Sequence, residues 1–358
     1  MGKEDGQHLL AMGKKGKPSR RVRLVDLAAS CGVSISTVSR ALSSESGVRP
    51  ELRAKILEAA KKSNYAMPSS MAGRKVILAA SSAAMIDYVR NQFTTHVLEG
   101  LRERALALSM EITTRSIANA DEEIEVLNEA LADDEVAGLL FLTIDDEEML
   151  APTRSFSKPV VLVNGDDPVM RLSSVTPCNR TAARLGTDYL RQLGHERILF
   201  LMRRGRRTIE RRFEGWRDGM NFSINDGRGD LVVEVEDWLP ELAADAIIKR
   251  INENGLDFSA ILAAGDSLAV GAMIGLLRLG YKVPDDVSVM GMDDLPQAAF
   301  HNPPLTTIHI PMRQIGAAAL DLLRDEVMGM DMPTRRVELA CHIVERQSVG
   351  APPPQRKK

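Results

Sequence analysis

At 358 residues, with 44% hydrophobic and 27% charged residues, the chain is long enough for two or three domains with substantial cores and too apolar to be disordered overall. No apolar run approaches the roughly 18 residues that span a membrane, and the start of the chain shows no hydrophobic signal region, so a cytoplasmic protein without membrane contact is expected. The formal charge of −3 hides an asymmetry: residues 1–75 hold 15 Lys and Arg against 6 Asp and Glu, whereas the remainder holds 31 against 43. A basic leading segment attracts a phosphate backbone and releases counterions on contact, while an acidic remainder discourages indiscriminate sticking. For Lys3, Lys14, Lys15 and Lys17 a solvated basic tail is the alternative. Cys31, Cys178 and Cys341 are odd in number and far apart, which argues for reduced thiols rather than a disulfide framework. The six histidines offer no pair at metal-ligand spacing. No Ser/His/Asp, P-loop or GxGxxG pattern stands in a supporting context, so neither a metal, a cofactor nor a catalytic residue is expected.

Residues 1–20 are rich in Gly and Lys and lack periodicity, which reads as a mobile basic arm. In RLVDLAASCGVSISTVSRAL, residues 23–42, Leu24, Leu27, Ala28 and Cys31 recur at i, i+3, i+4 and i+7 and give a first helix one small apolar face. Gly32 can take the positive φ of a sharp corner, and Val33 is an apolar plug beneath it. Ser34 can cap a second helix over 35–42, with Val38 and Leu42 inward and Ile35, Ser36, Ser39 and Arg40 outward. This is the helix-turn-helix pattern, in which the second helix enters the major groove of DNA. A helical hairpin with merely solvated serines would share it. A third helix from Pro50 to about 64, with Leu52, Ile56 and Ala60 on one face, closes a small all-α domain over 21–66. The Pro, Ser and Gly of NYAMPSSMAGRK mark a linker over 67–75.

From residue 76 short apolar strands alternate with amphipathic helices. Strands are predicted at 76–80, 111–114, 137–142, 159–163, 197–201, 231–235, 260–263 and 287–290. Helices are predicted at 94–108, 122–132, 181–193, 211–220, 239–254, 268–279 and 313–328. Such alternation makes parallel sheets covered on both faces. The strands are too many for one sheet of usual size, so two α/β lobes with a cleft between them are expected over 76–350, followed by a tail at 351–358. Ligands in such folds settle beyond the carboxyl ends of the strands. Asn91 and Phe93, Asn164 and Asp166, an arginine-rich run after Leu201, Gly265 and Asp266, and Asp293 and Asp294 all fall there. Each alone also reads as a loop residue or helix cap; their convergence favours a binding cleft.

Several stretches together resemble the lactose repressor (LacI/GalR) family of bacterial transcription regulators: VDLAASCGVSISTVSRAL, RPELRAKILEAAKKSNY, LRQLGHERILFL, RRFEGW, AAGDSLAVGAM, VPDDVSVMGMDD and PPLTTIHIP, in the family's order. The resemblance runs from Val22 to about Val349. It implies a helix-turn-helix domain followed by a two-lobe, periplasmic-binding-protein-like domain of doubly wound parallel sheets, with lobe crossings near 177–181, 306–310 and 337–342. It implies a homodimer, in some relatives a pair of dimers, on a near-palindromic double-stranded operator. By resemblance, Ile35, Ser36 and Arg40 read bases, Ser34, Thr37 and Ser39 meet phosphates, and Met71 is the residue available as a minor-groove wedge. Arg212, in the stretch ending at Trp216, and Asp293 correspond to the family's effector-gripping pair, an arrangement that forks vicinal hydroxyls from both sides. Phe93 falls at an aromatic wall, Thr94 stands where a second ring is common, and Gly265 takes a place where some sugar-responsive relatives carry asparagine. Asn91, Asn164, Trp216 and Asp266 complete the effector-binding set.

Two features depart from the family pattern. The linker between Tyr65 and Met71 is short, which puts its helix on DNA in question. Arg203, Arg204, Arg206, Arg207, Arg211, Arg212 and Arg217 crowd one interval. They form either a solvated, salt-bridged face or a site for an anionic effector such as a sugar phosphate or sugar acid. The expected function is a transcription regulator, a repressor of a catabolic operon, released from its operator by a sugar-like effector. The alternatives are an effector that promotes DNA binding, a solute-binding protein with no regulatory role, and an enzyme housed in the same lobes.

Overall fold

The computed structural model describes residues 23–42, 47–63, 71, 73–82, 85, 88–144, 147–222, 229–328 and 333–354. The arm at 1–20 and most of the linker lie outside the described residues. The chain divides into a small leading unit and a larger one that begins at Met71.

The leading unit holds α1 (Leu24–Cys31), α2 (Ile35–Leu42) and α3 (Pro50–Lys62). Gly32 turns the corner after α1 at φ 69°, which frees the Val33 amide to bond back to the Ala28 carbonyl at 3.2 Å. Leu24, Leu27, Ala28, Cys31, Val38, Ala41, Ile56 and Ala60 form its apolar core. Ala41 is the buried residue of the last turn of α2, with Leu42 packed at the margin. Arg53 of α3 donates through Nε to the Ala41 carbonyl at 3.2 Å and so holds α3 against the end of α2.

The larger unit opens with β1 (Lys75–Ser81), α4 (Tyr88–Ala107), β2 (Glu111–Ile117), α5 (Ala120–Ala132), β3 (Val136–Leu142), α6 (Glu147–Leu150), β4 (Val160–Val163) and β5 (Ser173–Pro177). It continues with α7 (Asn179–Gln192), β6 (Ile198–Met202), α8 (Arg207–Met220), β7 (Val232–Glu234), α9 (Pro240–Asn254), β8 (Ala260–Ala263), α10 (Asp266–Arg278), β9 (Ser288–Asp293) and β10 (Thr306–His309). It ends with α11 (Met312–Val327), β11 (Arg336–Leu339) and β12 (His342–Val344). The described strands make two six-stranded sheets, ordered β11-β5-β4-β3-β1-β2 and β12-β10-β9-β8-β6-β7. All pairings are parallel except β10 with β12. The first sheet defines an N-lobe and the second a C-lobe. Among the described residues the chain passes between them after Pro177, after His309 and after Leu339.

The strands β3, β4, β6 and β8 are buried throughout, as their unbroken apolar runs require of central parallel strands. The strands β5, β10, β11 and β12 carry Ser, Thr, Arg and His in place of apolar runs and do not announce themselves by hydrophobicity. In β5 and β10 the hydroxyls are buried and partnered: Ser173 accepts from the Arg335 amide at 3.2 Å, and Thr306 from the Arg346 amide at 2.9 Å. Helix α4 begins at Tyr88, ahead of the predicted 94, because the polar residues before Thr94 include no Pro or Gly to delay it. In the α4–α11 contact a side chain on Gly100 would overlap the backbone of Arg313, so this crossing depends on glycine.

Met71 corrects an expectation. At 7% exposure it lies in the N-lobe core with Val76, Leu101 and Met110, and the amides of Gly73 and Lys75 bond to the carbonyls of Ser109 and Glu135. Its thioether chain fills apolar space, so the lobe begins at Met71 and this residue is not presented as a wedge.

Glu123 of α5 is fully buried, and neither carboxylate oxygen has a hydrogen-bond partner among the described residues. Loss of hydration pushes its pKa from 4.5 to about 8. A raised carboxyl stabilises the fold below its ordinary pKa, and that contribution is lost as pH rises through about 8. Glu123→Gln is therefore expected to flatten the decline in stability between pH 5 and 8 and to raise stability at pH 8 by about 1–3 kcal/mol, read by denaturant titration across that range.

Candidate functional site

On the leading unit, the second helix of the motif carries the chemistry. Ser34 caps α2 by accepting the Thr37 amide at 3.2 Å, and its hydroxyl lies 2.8 Å from those of Ser36 and Thr37. Ser34, Ile35, Ser36 and Arg40 are exposed, with Ile35 at 43%, while Thr37 and Ser39 are half-buried. Arg40 Nε donates to the Ser36 carbonyl at 3.3 Å, which lays the guanidinium along the helix beside the small serines. The result is a low-relief surface of small side chains with Arg40 as the cation of α2, bounded by the Ser34-capped end of the helix.

In the larger unit a cavity of about 260 Å³ lies between the lobes. Its N-lobe wall comes from Ser81, Thr143 and Asn164 at strand ends, and from Gln92, Phe93 and Thr94 in the first turns of α4. The C-lobe wall comes from the segments after β6, β7, β8 and β9 and from α8. Thr143, Asn164 and Asp293, which all line it, have φ of 58°, 53° and 152°. Such strain in non-glycine residues concentrates where side chains are aimed rather than packed.

The centre of the C-lobe wall is Arg212. At 5% exposure it donates through Nε to Asn179 Oδ1 at 2.8 Å and through one terminal nitrogen to the Ala264 carbonyl at 2.5 Å, and it stands 3.8 Å from Asp293 Oδ1. Burial lowers the pKa of the guanidinium, opposed by the charge of Asp293. Asp293 also accepts the Asp266 amide at 3.2 Å; burial raises its pKa to about 6 against the pull of Arg212. The indole of Trp238 packs over Gly265, where any side chain would meet Trp238 and Asp293. Trp238 and Phe93 thus give the cavity two aromatic walls beside a pair made of buried Arg212 and half-buried Asp293.

Residues 23–68 match the family described as bacterial regulatory proteins, lacI family, and residues 187–349 match a periplasmic binding protein-like domain. Over 353 residues the chain is 30% identical to the HTH-type transcriptional regulator MalR of Streptomyces coelicolor, covering 93% of this chain and 98% of that one. The chain belongs to the lacI family. It is a DNA-binding transcriptional regulator, and its relatives are regulators rather than enzymes. A solved lac repressor dimer, bound to operator and the anti-inducer ONPF, is similar at a TM-score of 0.67 and 25% identity, over 93% of this chain and all of that one. The transcriptional regulator CelR, in complex with cellobiose, shares the fold at a TM-score of 0.68 and 24% identity, over 92% of this chain and all of that one.

Within this lacI-family chain the structure brings Phe93, Thr94, Asn164, Arg212 and Asp293 to the cavity, with Gly265 just behind Trp238. Asn91 lies in the first turn of α4, one residue before the cavity-lining Gln92. Trp216 is a correction. At 1% exposure it stacks on Phe200 and Phe213, and its indole N–H donates to the carbonyl of Ile198. One helical turn beyond Arg212, it reaches the amino end of β6, whereas the cavity is at the carboxyl ends. Asp266 is a second correction: its carboxylate faces inward, accepting the Leu295 amide at 3.0 Å and the Thr307 hydroxyl at 2.5 Å. Burial and the charge of Asp293 raise its pKa to about 7. It fastens the ends of β9 and β10 and contributes no atom to the cavity wall.

The arginine run is mostly paired. Arg204 bridges to Glu234 at 2.6 Å, Arg207 and Arg211 reach Asp166 across the cleft at 3.7 and 3.4 Å, and Arg217 lies over the ring of Phe213. Arg203 and Arg206 line the cavity, and Arg206 also donates to the Asn164 carbonyl of the other lobe at 2.5 Å. Together with the contact between Gln92 and Gln297, these groups bridge the lobes.

Thr143, Asp237 and Trp238 were not anticipated, although each follows a predicted strand, and the strand-end rule applied to residues 142 and 235 would have found them. Trp216 and Trp238 are the two tryptophans. Acrylamide is expected to quench the fluorescence of a Trp216→Phe protein, which reports the cleft, several-fold more strongly than that of Trp238→Phe, which reports the sealed core. Equal quenching would contradict this placement.

Proposed function

We propose that this regulator is a repressor of a catabolic operon whose effector is a neutral, hydroxyl-rich sugar bound in the cleft. The observation that carries the reading is the pair of buried Arg212 and half-buried Asp293 in the wall of a cavity that Phe93 and Trp238 also line. A guanidinium donates to a hydroxyl oxygen and a carboxylate accepts from a hydroxyl proton, so the pair recognises vicinal hydroxyls while the rings cover the apolar faces of the sugar. The cellobiose held by CelR, which shares this fold, supports the same ligand class. Since Arg204 pairs with Glu234 and Arg211 with Asp166 and Glu214, while Arg207 shares Asp166 with Arg211 and Arg336, the arginine run adds less positive charge to the cavity than its count suggests. A second reading, an anionic sugar phosphate or sugar acid, rests on Arg203 and Arg206 at the cavity wall.

On the leading unit, Ile35, Ser36 and Arg40 are assigned to base edges, where a methyl group, a hydroxyl and a forked guanidinium each have a groove partner. Ser34, Thr37 and Ser39 are assigned to phosphates. The working unit is a homodimer on a near-palindromic operator. The sugar lowers operator affinity because it binds the two lobe arrangements unequally.

Calorimetric titration of the purified full-length chain with maltose, cellobiose and glucose, against glucose 6-phosphate and gluconate, tests the ligand class. A neutral sugar is expected to bind, and its affinity to fall as pH drops through about 6, where Asp293 takes up a proton. Asp293→Asn should abolish that pH dependence. Binding confined to the anionic compounds would replace the first reading by the second.

A further inference from the structure

Two of the three cysteines, distant in sequence, meet where the chain passes between the lobes. Cys178 links β5 to α7 in the first passage, and Cys341 links β11 to β12 in the last. Pro177 pairs with Leu339 across β5 and β11, and the Cys178 amide donates to the Leu339 carbonyl at 2.9 Å. The Cys341 thiol approaches the same carbonyl at 3.7 Å. One oxygen therefore gathers the backbone of one cysteine and the sulfur of the other, which sets the two residues side by side. Both residues are only partly buried, so a small oxidant has access, whereas Cys31 is buried in the core of the leading unit.

We propose that Cys178 and Cys341 form a reversible dithiol site that a peroxide closes into a disulfide, stitching together two of the strands that carry the chain between the lobes. Cys178 is the attacking group. The neighbouring Cys341 thiol favours its ionisation, and Cys341 is the member held protonated. The Cys178 thiolate attacks one peroxide oxygen; an S–O bond forms, the O–O bond breaks, and the departing hydroxide takes a proton to become water. Cys341 then loses its proton and attacks the sulfenic sulfur; the S–S bond forms, the S–O bond breaks, and a second water leaves. Two thiols are oxidised and one hydrogen peroxide is reduced. Arg212, the guanidinium at the wall of the cavity, is close enough to favour a charged Cys341 in the second step. The site ties the oxidation state of the lobe crossings to the geometry of the cleft, independently of which ligand the cleft holds.

The test uses full-length protein, reduced and freed of reductant, then exposed to a slight molar excess of hydrogen peroxide. Two of three thiols should disappear, digestion without reductant should yield a peptide joining 178 to 341, Cys31 should remain free, and dithiothreitol should restore all three. Amide hydrogen exchange at 178–182 and 339–344 should slow about tenfold in the oxidised protein. Neither Cys178→Ser nor Cys341→Ser should show slowing. Recovery of both residues as free thiols, as separate sulfinic acids, or in bonds between two chains would overturn the proposal. A 178–341 bond without slower exchange would overturn its role in fixing the crossings. Because the deciding measurements are made on the unsubstituted chain, a serine variant that folds poorly does not affect the outcome.

Discussion

A guanidinium sealed from water has to place its N–H groups on protein acceptors, and in this chain that requirement sets the form of the cleft. Arg212 meets the first residue of α7 through Asn179, the end of β8 through Ala264 and the end of β9 through Asp293. These segments come from separate parts of the C-lobe, and a single side chain holds the amino end of α7 and the carboxyl ends of β8 and β9 in one wall. Desolvation of a charge costs several kcal/mol unless it is matched. The match is incomplete: Asp293 lies 3.8 Å away rather than at hydrogen-bonding distance, which leaves both groups able to accept a ligand between them. The unusual backbone at Asp293, and at Asn164 opposite, belongs to the same arrangement, with conformational strain held where side chains must face a ligand.

The leading unit solves a different problem with a smaller core. Its helices are short, and their stability rests on the Gly32 corner, the Ser34 cap and the Arg53 tie between α3 and α2. What remains outward on α2 is a surface of small polar groups, the apolar Ile35 and one arginine, suited to close approach to a polyanion. The two units thus divide recognition of DNA from recognition of a small molecule. A regulator needs both, together with a ligand whose affinity differs between conformations.

How much of this could be read in the sequence follows from where each signal resides. Apolar runs such as VVLV, AILA and ILFLM specify buried parallel strands on their own, and the glycine corner between two periodic helices specifies the headpiece. The strands β5, β10, β11 and β12 are not legible in this way, because their polar side chains are satisfied by partners far along the chain, such as Arg346 on Thr306. Trp216 was misread because the motif holding Arg212 was treated as one unit, although a helical turn takes the two residues to opposite ends of a strand. Met71 was misread because an apolar residue beside a linker says nothing about which core it enters. A count of arginines could not separate paired from ligand-facing ones, since their carboxylates at Asp166 and Glu234 lie some distance off in sequence. The meeting of Cys178 with Cys341 was invisible for the same reason.

The central claim is that the arginine-bearing face of α2 grips DNA and that occupation of the cleft governs the grip. Footprinting of the full-length protein across the promoter region next to its own gene measures this directly, with and without a saturating ligand of the cleft. The account predicts protection of one discrete, near-palindromic site, release of that protection by the ligand, and a loss of about 1–3 kcal/mol in operator affinity for Arg40→Ala with ligand binding unchanged. Absence of any discrete protected site, or protection indifferent to a ligand shown to occupy the cleft, would contradict it.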